Sequence, residues 1–215
     1  DRPQWPIDID AKRYEKWSQV DFANEPILIH PLTGDEIRLN NLANIDYKKI
    51  KEVSYNHFKE ILKLGKDAKM KFLALWRFAC ENRDELGQLW SLLPADTRVP
   101  DHSIWNHLDL TSAFAGAASD SDGVCILSMA FGPVQGFIAQ ARSTSDLWAG
   151  SHLLSSIVWE GMKAIADEIG PDAFLFPQIR GLAVVDAWLL EKAKAAGSHK
   201  EWREQFAKIN VEWLK

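Results

Sequence analysis

The stretch Val124-Cys-Ile-Leu-Ser-Met-Ala-Phe-Gly-Pro-Val-Gln-Gly-Phe-Ile-Ala-Gln-Ala-Arg-Ser-Thr-Ser-Asp-Leu-Trp-Ala-Gly-Ser-His-Leu-Leu154 decides how the chain is read. Val124, Ile126, Leu127, Met129 and Phe131 have the length and near-continuous apolarity of a strand buried on both faces. After Gly132-Pro133, the residues Val134, Phe137, Ile138 and Ala141 recur at helical spacing, with Pro133 in the first turn, where proline is tolerated. RSTSD interrupts, and Ser145 or Asp146 is expected to cap a longer helix with the stripe Leu147, Ser151, Leu154, Val158, Met162 and Ile165. Gly170-Pro171 ends it, and AFLFP at 173–177 reads as a second strand. The remainder is mostly helical, broken at Gly197-Ser198. Strand, helix, helix, strand predicts the opening of a ferredoxin-like or parallel-sheet α/β unit that needs further strands.

Upstream, SDSDG at 119–123 is the clearest boundary, dividing the chain into an expected helical part, 1–119, and an α/β part, 120–215. Residues 1–45 carry Pro3, Pro6, Pro26 and Pro31 and read as irregular, with Trp5 and Trp17 as anchors. The ILI and IRL pieces flanking Thr33-Gly34-Asp35 are expected to pair as a hairpin, with His30 a turn residue. From about Tyr47 to Leu93 the pattern is helical: Phe58, Ile61, Leu62 and Leu64 make one stripe, and Phe72, Leu75, Trp76 and Ala79 another. Pro94 ends this layer, and Asp101 or Ser103 is placed to cap a helix over about 102–118 that finishes in the small-residue run AFAGAAS.

Composition narrows function. The 215 residues are 47% hydrophobic, ample for a core, and 25 basic against 30 acidic side chains leave a net charge of -5. That balance gives no general pull toward nucleic acid or anionic membrane, so any contact with a polyanion has to be local. Cys80 and Cys125 lie far apart without a CxxC pair and read as buried, reduced thiols of a cytoplasmic protein. No apolar run approaches a membrane span and no signal peptide opens the chain. The chain starts at Asp1 and stops inside an amphipathic pattern, so a portion of a longer protein is expected.

Three features could carry chemistry. A strand, a Gly-Pro turn and a helix start suggest a phosphate site, although neither GxGxxG nor GK[ST] is present; Gly132 and Pro133 also serve simply to close and fix the turn. Ala149-Gly150-Ser151 opens a small-residue gap in a bulky helix, and a helix-interior glycine costs about 1 kcal/mol relative to alanine. Either a neighbouring element packs there or a ligand lies against the backbone with Ser151 donating; His152 beside it points elsewhere and makes no nucleophile pair. His102, Asn106 and Asp109 would share one helix face, a set that fits either a divalent cation or solvated capping residues.

ADTRVPDHSIWNHLDLTSAFA at 95–115, GPVQGFIAQARSTSDLWAGSHLLS at 132–155, GPDAFLFPQIRG at 170–181 and HPLTG at 30–34 together resemble the large, polymerase-like subunit of type III-B (Cmr-type) CRISPR RNA-guided effector complexes. The resemblance implies an α+β chain: the later part of a mainly helical HD-type domain, then the start of a ferredoxin-like (βαβ) palm domain. It implies a subunit that, when intact, binds ATP with Mg or Mn between two palms and makes cyclic oligoadenylate when target RNA is bound, in company with other effector subunits, guide RNA and target RNA. Some such subunits also cut single-stranded DNA with the HD domain. Gly132, Pro133, Gln135, Gly150 and Ser151 would face the nucleotide. The Gly-Gly-Asp-Asp signature and an upstream His-Asp dyad are absent from these 215 residues, so no catalytic or metal-ligating residue is assigned. A non-catalytic scaffold that docks other subunits on guide and target RNA is the alternative reading.

Overall fold

The computed structural model describes residues 27–29, 36–38, 47–81, 88–93, 95, 102–119 and 123–209. The expected hairpin forms: β1 (Ile27–Ile29) pairs antiparallel with β2 (Glu36–Arg38), Ile27 opposite Arg38. His30, Trp5, Trp17 and Asp101 lie outside the described residues. The remaining elements are helices: α1 (Tyr47–Leu62), α2 (Ala68–Phe78), α3 (Gln88–Ser91), α4 (Ile104–Ala118), α5 (Val134–Ile138), α6 (Thr144–Glu168), a 3-10 turn (Pro171–Ala173), α7 (Ala183–Ala195) and α8 (His199–Lys208).

The chain forms two compact units, one of residues 1–108 and 187–215 and the other of 109–186. In the first, α1 turns into α2 at Gly65, where an added Cβ would lie 2.3 Å from the Lys71 backbone nitrogen; only glycine lets the two backbones approach so closely. Asp67 caps α2 by accepting from the Met70 N–H at 2.8 Å. The buried side of α2 is Met70, Leu73, Ala74, Trp76, Arg77 and Phe78, whereas Phe72, expected on the apolar stripe, is exposed. The stripe is rotated because Arg77 is buried within it. Its guanidinium is held by Glu81 at 2.9 Å and lies 5.4 Å from the Phe206 ring centre, so a cation at a core position is paired rather than bare.

Phe78, Trp202 and Phe206 form an edge-on aromatic cluster, with centroid separations of 5.3 Å (Phe78–Trp202) and 4.9 Å (Phe78–Phe206). The Trp202 indole also donates to the Leu64 carbonyl at 3.1 Å. α7 closes in a Schellman turn: Ser198 N–H bonds to Ala193 O and Gly197 N–H to Lys194 O, with Gly197 in the left-handed region at φ 70°. Lys66 Nζ donates to the Gly197 carbonyl at 2.7 Å. A second cluster buries Val53, Trp90 and Trp105, with Ile50, Phe58, Ala79, Cys80 and Ile104 packed against it.

In the second unit the ferredoxin-like βαβ start expected over 120–215 does not form, and the fold is mainly helical rather than α+β. Residues 124–131 belong to no strand or helix, and AFLFP becomes the end of the 3-10 turn followed by irregular chain. A strand persists where ladder partners take up its N–H and C=O groups. Among the described residues none aligns with 124–131, so Ile126 and Leu127 stay 76% and 75% exposed and Phe176 reaches 90%. Cys125, expected buried, is exposed with them. No helix among the described residues is long and apolar enough to cross a membrane.

Candidate functional site

The turn that was read as a phosphate site opens on a cis Gly132-Pro133 bond and enters the five-residue α5 directly. Its first bonds are Phe137 N–H to Pro133 O at 3.2 Å and Ala139 N–H to Gln135 O at 2.9 Å. Gly132, Pro133 and Gln135 are exposed, and no other group lies within 4 Å of where a Gly132 Cβ would be. The next helix starts earlier than expected, with Ser143 rather than Ser145 or Asp146 as its cap. Ser143 accepts from Asp146 N–H at 3.1 Å while Asp146 accepts from Arg142 N–H at 3.2 Å, a reciprocal cap with the acid in the first turn of α6.

The glycine gap in α6 holds an aromatic ring. A Cβ on Gly150 would meet Phe137 Cε1 at 3.4 Å, and one on Gly161, three turns further along, would meet Phe131 Cζ at 3.6 Å. The two glycines therefore admit two phenylalanines from the segment that runs through the Gly-Pro turn, and this contact brings the turn and Gly150 into one neighbourhood. Ser151 is half-buried beside Gly150. His152 is exposed, and its carbonyl accepts from Ser156 Oγ at 2.8 Å, so Ser151 and His152 make no catalytic pair. The second glycine, Gly161, is spaced too far from Gly150 to be noticed as part of the same gap; two helix-interior glycines facing two phenylalanines was the signal available.

The polar face of α4 resolves into caps and pairs. Ser103 is the cap, accepting from Asn106 N–H at 3.2 Å and donating to Asn106 Oδ1 at 2.5 Å. Asp109 pairs with Arg180, and Ser112 donates to Asp172, tying α4 to the 3-10 turn and to the loop after it. The His102 and His107 rings lie 5.7 Å apart. Among the described residues no three His, Cys, Asp or Glu side chains cluster as a metal site.

The profile of the family described as "CRISPR-associated protein Cmr2, N-terminal" matches residues 126–210, which contain the turn, both ring-bearing glycines and the Schellman turn. Over 100 residues, 46% of the chain, the sequence is 44% identical to the CRISPR system Cmr subunit Cmr2 of Pyrococcus furiosus. The chain belongs to the Cmr2 family. The similarity to Cmr2 of Saccharolobus solfataricus, a CRISPR system CMR subunit, is 30% over 164 residues, 74% of the chain. These matches span 11% and 14% of the two Cmr2 relatives. No solved structure matches.

Proposed function

We propose that the chain serves in a Cmr2-type subunit of a type III-B CRISPR effector complex in antiviral defence, and that the intact subunit binds ATP with Mg or Mn and makes cyclic oligoadenylate when target RNA is bound. The carrying observation is the match of residues 126–210, which hold the turn and α6, to the Cmr2 N-terminal family, together with 44% identity to a Cmr subunit over 100 residues. Gly132, Pro133, Gln135, Gly150 and Ser151 are the residues proposed to face the nucleotide. Their support is geometric: Phe137 on Gly150 sets an exposed turn beside the α6 backbone, where a ligand meets free turn groups and the Ser151 hydroxyl together. Carboxylates for two-metal phosphoryl chemistry would have to come from beyond these 215 residues.

A second reading has its own observation. The gap at Gly150 is filled by a phenylalanine, as close packing alone requires, which favours a scaffold that docks other effector subunits on guide and target RNA. The test is incubation of the assembled complex with labelled ATP, magnesium or manganese and matching target RNA, followed by chromatography. Cyclic oligoadenylate that disappears in the Gly150→Val/Ser151→Ala complex, with RNA binding retained, supports the nucleotide site. Equal yield from that complex removes these residues from it, and no product from the unaltered complex leaves the scaffold reading.

A further inference from the structure

The chain's acidic balance conceals a strongly basic helix pair. Between residues 47 and 71 stand eight lysines against three acids, in a protein whose net charge is -5. All eight lysines are exposed. Two of the three acids are engaged locally: Asp67 caps α2, and Glu60 pairs with Lys63, whose hydrogen bond lowers the Glu60 carboxyl below its ordinary range. Lys66 is directed to the Gly197 carbonyl. Lys48, Lys49, Lys51 and Lys59 stand exposed on α1, where Glu52 is the remaining exposed acid, and Lys69 and Lys71 stand exposed on α2.

Lys48, Lys51, Tyr55 and Lys59 recur at i, i+3, i+7 and i+11, one stripe about 17 Å long at 1.5 Å per residue. Val53 and Ile61, on the other side of the helix, are buried. The first turn of α1 contains no acid, so Lys48, Lys49 and Lys51 crowd the positive end of a 16-residue helix. Helix stability favours the opposite arrangement, and the lysines and the helix dipole add into one positive field. Tyr55 stands 65% exposed in the middle of the stripe, with Lys59 Nζ 5.9 Å from its ring centre.

We infer that the Lys48–Lys51–Tyr55–Lys59 stripe of α1 is a docking surface for single-stranded RNA. Lysines spaced along a helix neutralise successive phosphates, and an exposed ring among them stacks on an unpaired base. A bilayer surface does not fit, because insertion needs an apolar helix face and that of α1 is already packed against Trp90 and Trp105. The identity of the polyanion as RNA rests on the effector-complex reading above; the charge and the exposed ring stand without it.

The test is ultraviolet crosslinking of the purified effector complex with its own RNA, followed by mass spectrometry of nucleotide-bearing peptides. The expected result is an RNA adduct on a peptide within 47–62, lost when Lys48, Lys51 and Lys59 are all changed to Gln. The same variant should retain RNA with a log-affinity against log-salt slope smaller by about 2, since each single-strand phosphate contact is worth about 0.7. Gln keeps the helix propensity of these exposed positions. RNA adducts elsewhere in the complex with none on 47–62, adducts there only to DNA or protein, or an unchanged slope in the variant would each overturn the inference while leaving the effector reading intact. A complex that holds no RNA would overturn both.

Discussion

The Trp105 indole donates to the Trp90 carbonyl at 2.6 Å, and the Trp90 indole donates in turn to the Ala79 carbonyl at 2.7 Å. With ring centroids 5.1 Å apart, the two tryptophans lock the start of α4 to the end of α2 through α3. Trp105→Phe keeps a ring but removes the donor, leaving a buried carbonyl short of a partner. The expected loss is about 1–3 kcal/mol, read from urea unfolding of the purified chain. Loss under about 0.5 kcal/mol would show that water replaces the indole.

His57 supplies the pH dependence of the same cluster. Its Nε2 faces the carbonyls of Phe78 at 3.2 Å and Ala79 at 3.1 Å, so the neutral ring carries its proton there. Burial holds its pKa below the ordinary histidine value, with the two carbonyls partly opposing that shift. A depressed folded pKa gives stability that is complete above the unfolded value near 6.5 and is lost as pH falls through the folded one. Urea unfolding between pH 7.5 and 5.5 should therefore show falling stability that flattens in His57→Gln. Parallel slopes in the two proteins would locate the pH dependence elsewhere.

Gly65 is a position where any side chain collides with backbone. With the Lys71 nitrogen 2.3 Å from an added Cβ, Gly65→Ala has to move the start of α2. Overpacking of this kind costs about 1–3 kcal/mol. Thermal unfolding is the direct check, and an unchanged melting temperature contradicts the close approach.

Two serines that both begin helices should behave oppositely. Ser143 makes its cap bond, so Ser143→Ala should cost about 1 kcal/mol. Ser198 precedes α8 without a side-chain cap bond, and its buried Oγ has no partner among the described residues. Ser198→Ala removes a buried unsatisfied hydroxyl and should be neutral or stabilising. Paired denaturant midpoints of the two variants test the contrast; destabilisation by Ser198→Ala would reveal a bond to that hydroxyl.

Helices were legible wherever punctuation and period agreed. Gly170-Pro171, Gly197-Ser198 and the ILI/IRL hairpin fall where the turn residues put them, because φ-restricted and φ-permissive residues act locally. The stripe of α2 was misread because Arg77 looks like a surface residue until Glu81 and Phe206 are seen around it. VCILSMAF shows a deeper limit: a near-continuous apolar run records what a segment is able to bury, whereas a strand also needs neighbours, and none among the described residues pairs with it. The proximity of the Gly-Pro turn and Gly150 depends on Phe137 reaching across to α6, a contact invisible in either motif taken alone.

The central claim, that this chain works within an RNA-containing Cmr-type effector complex, is tested most directly by native mass spectrometry of the protein purified through its own tag. The expected result is an assembly of several different subunits with a small RNA of defined length, dissociating at high salt. A protein that runs alone, free of RNA and of other subunits at low salt, would contradict it.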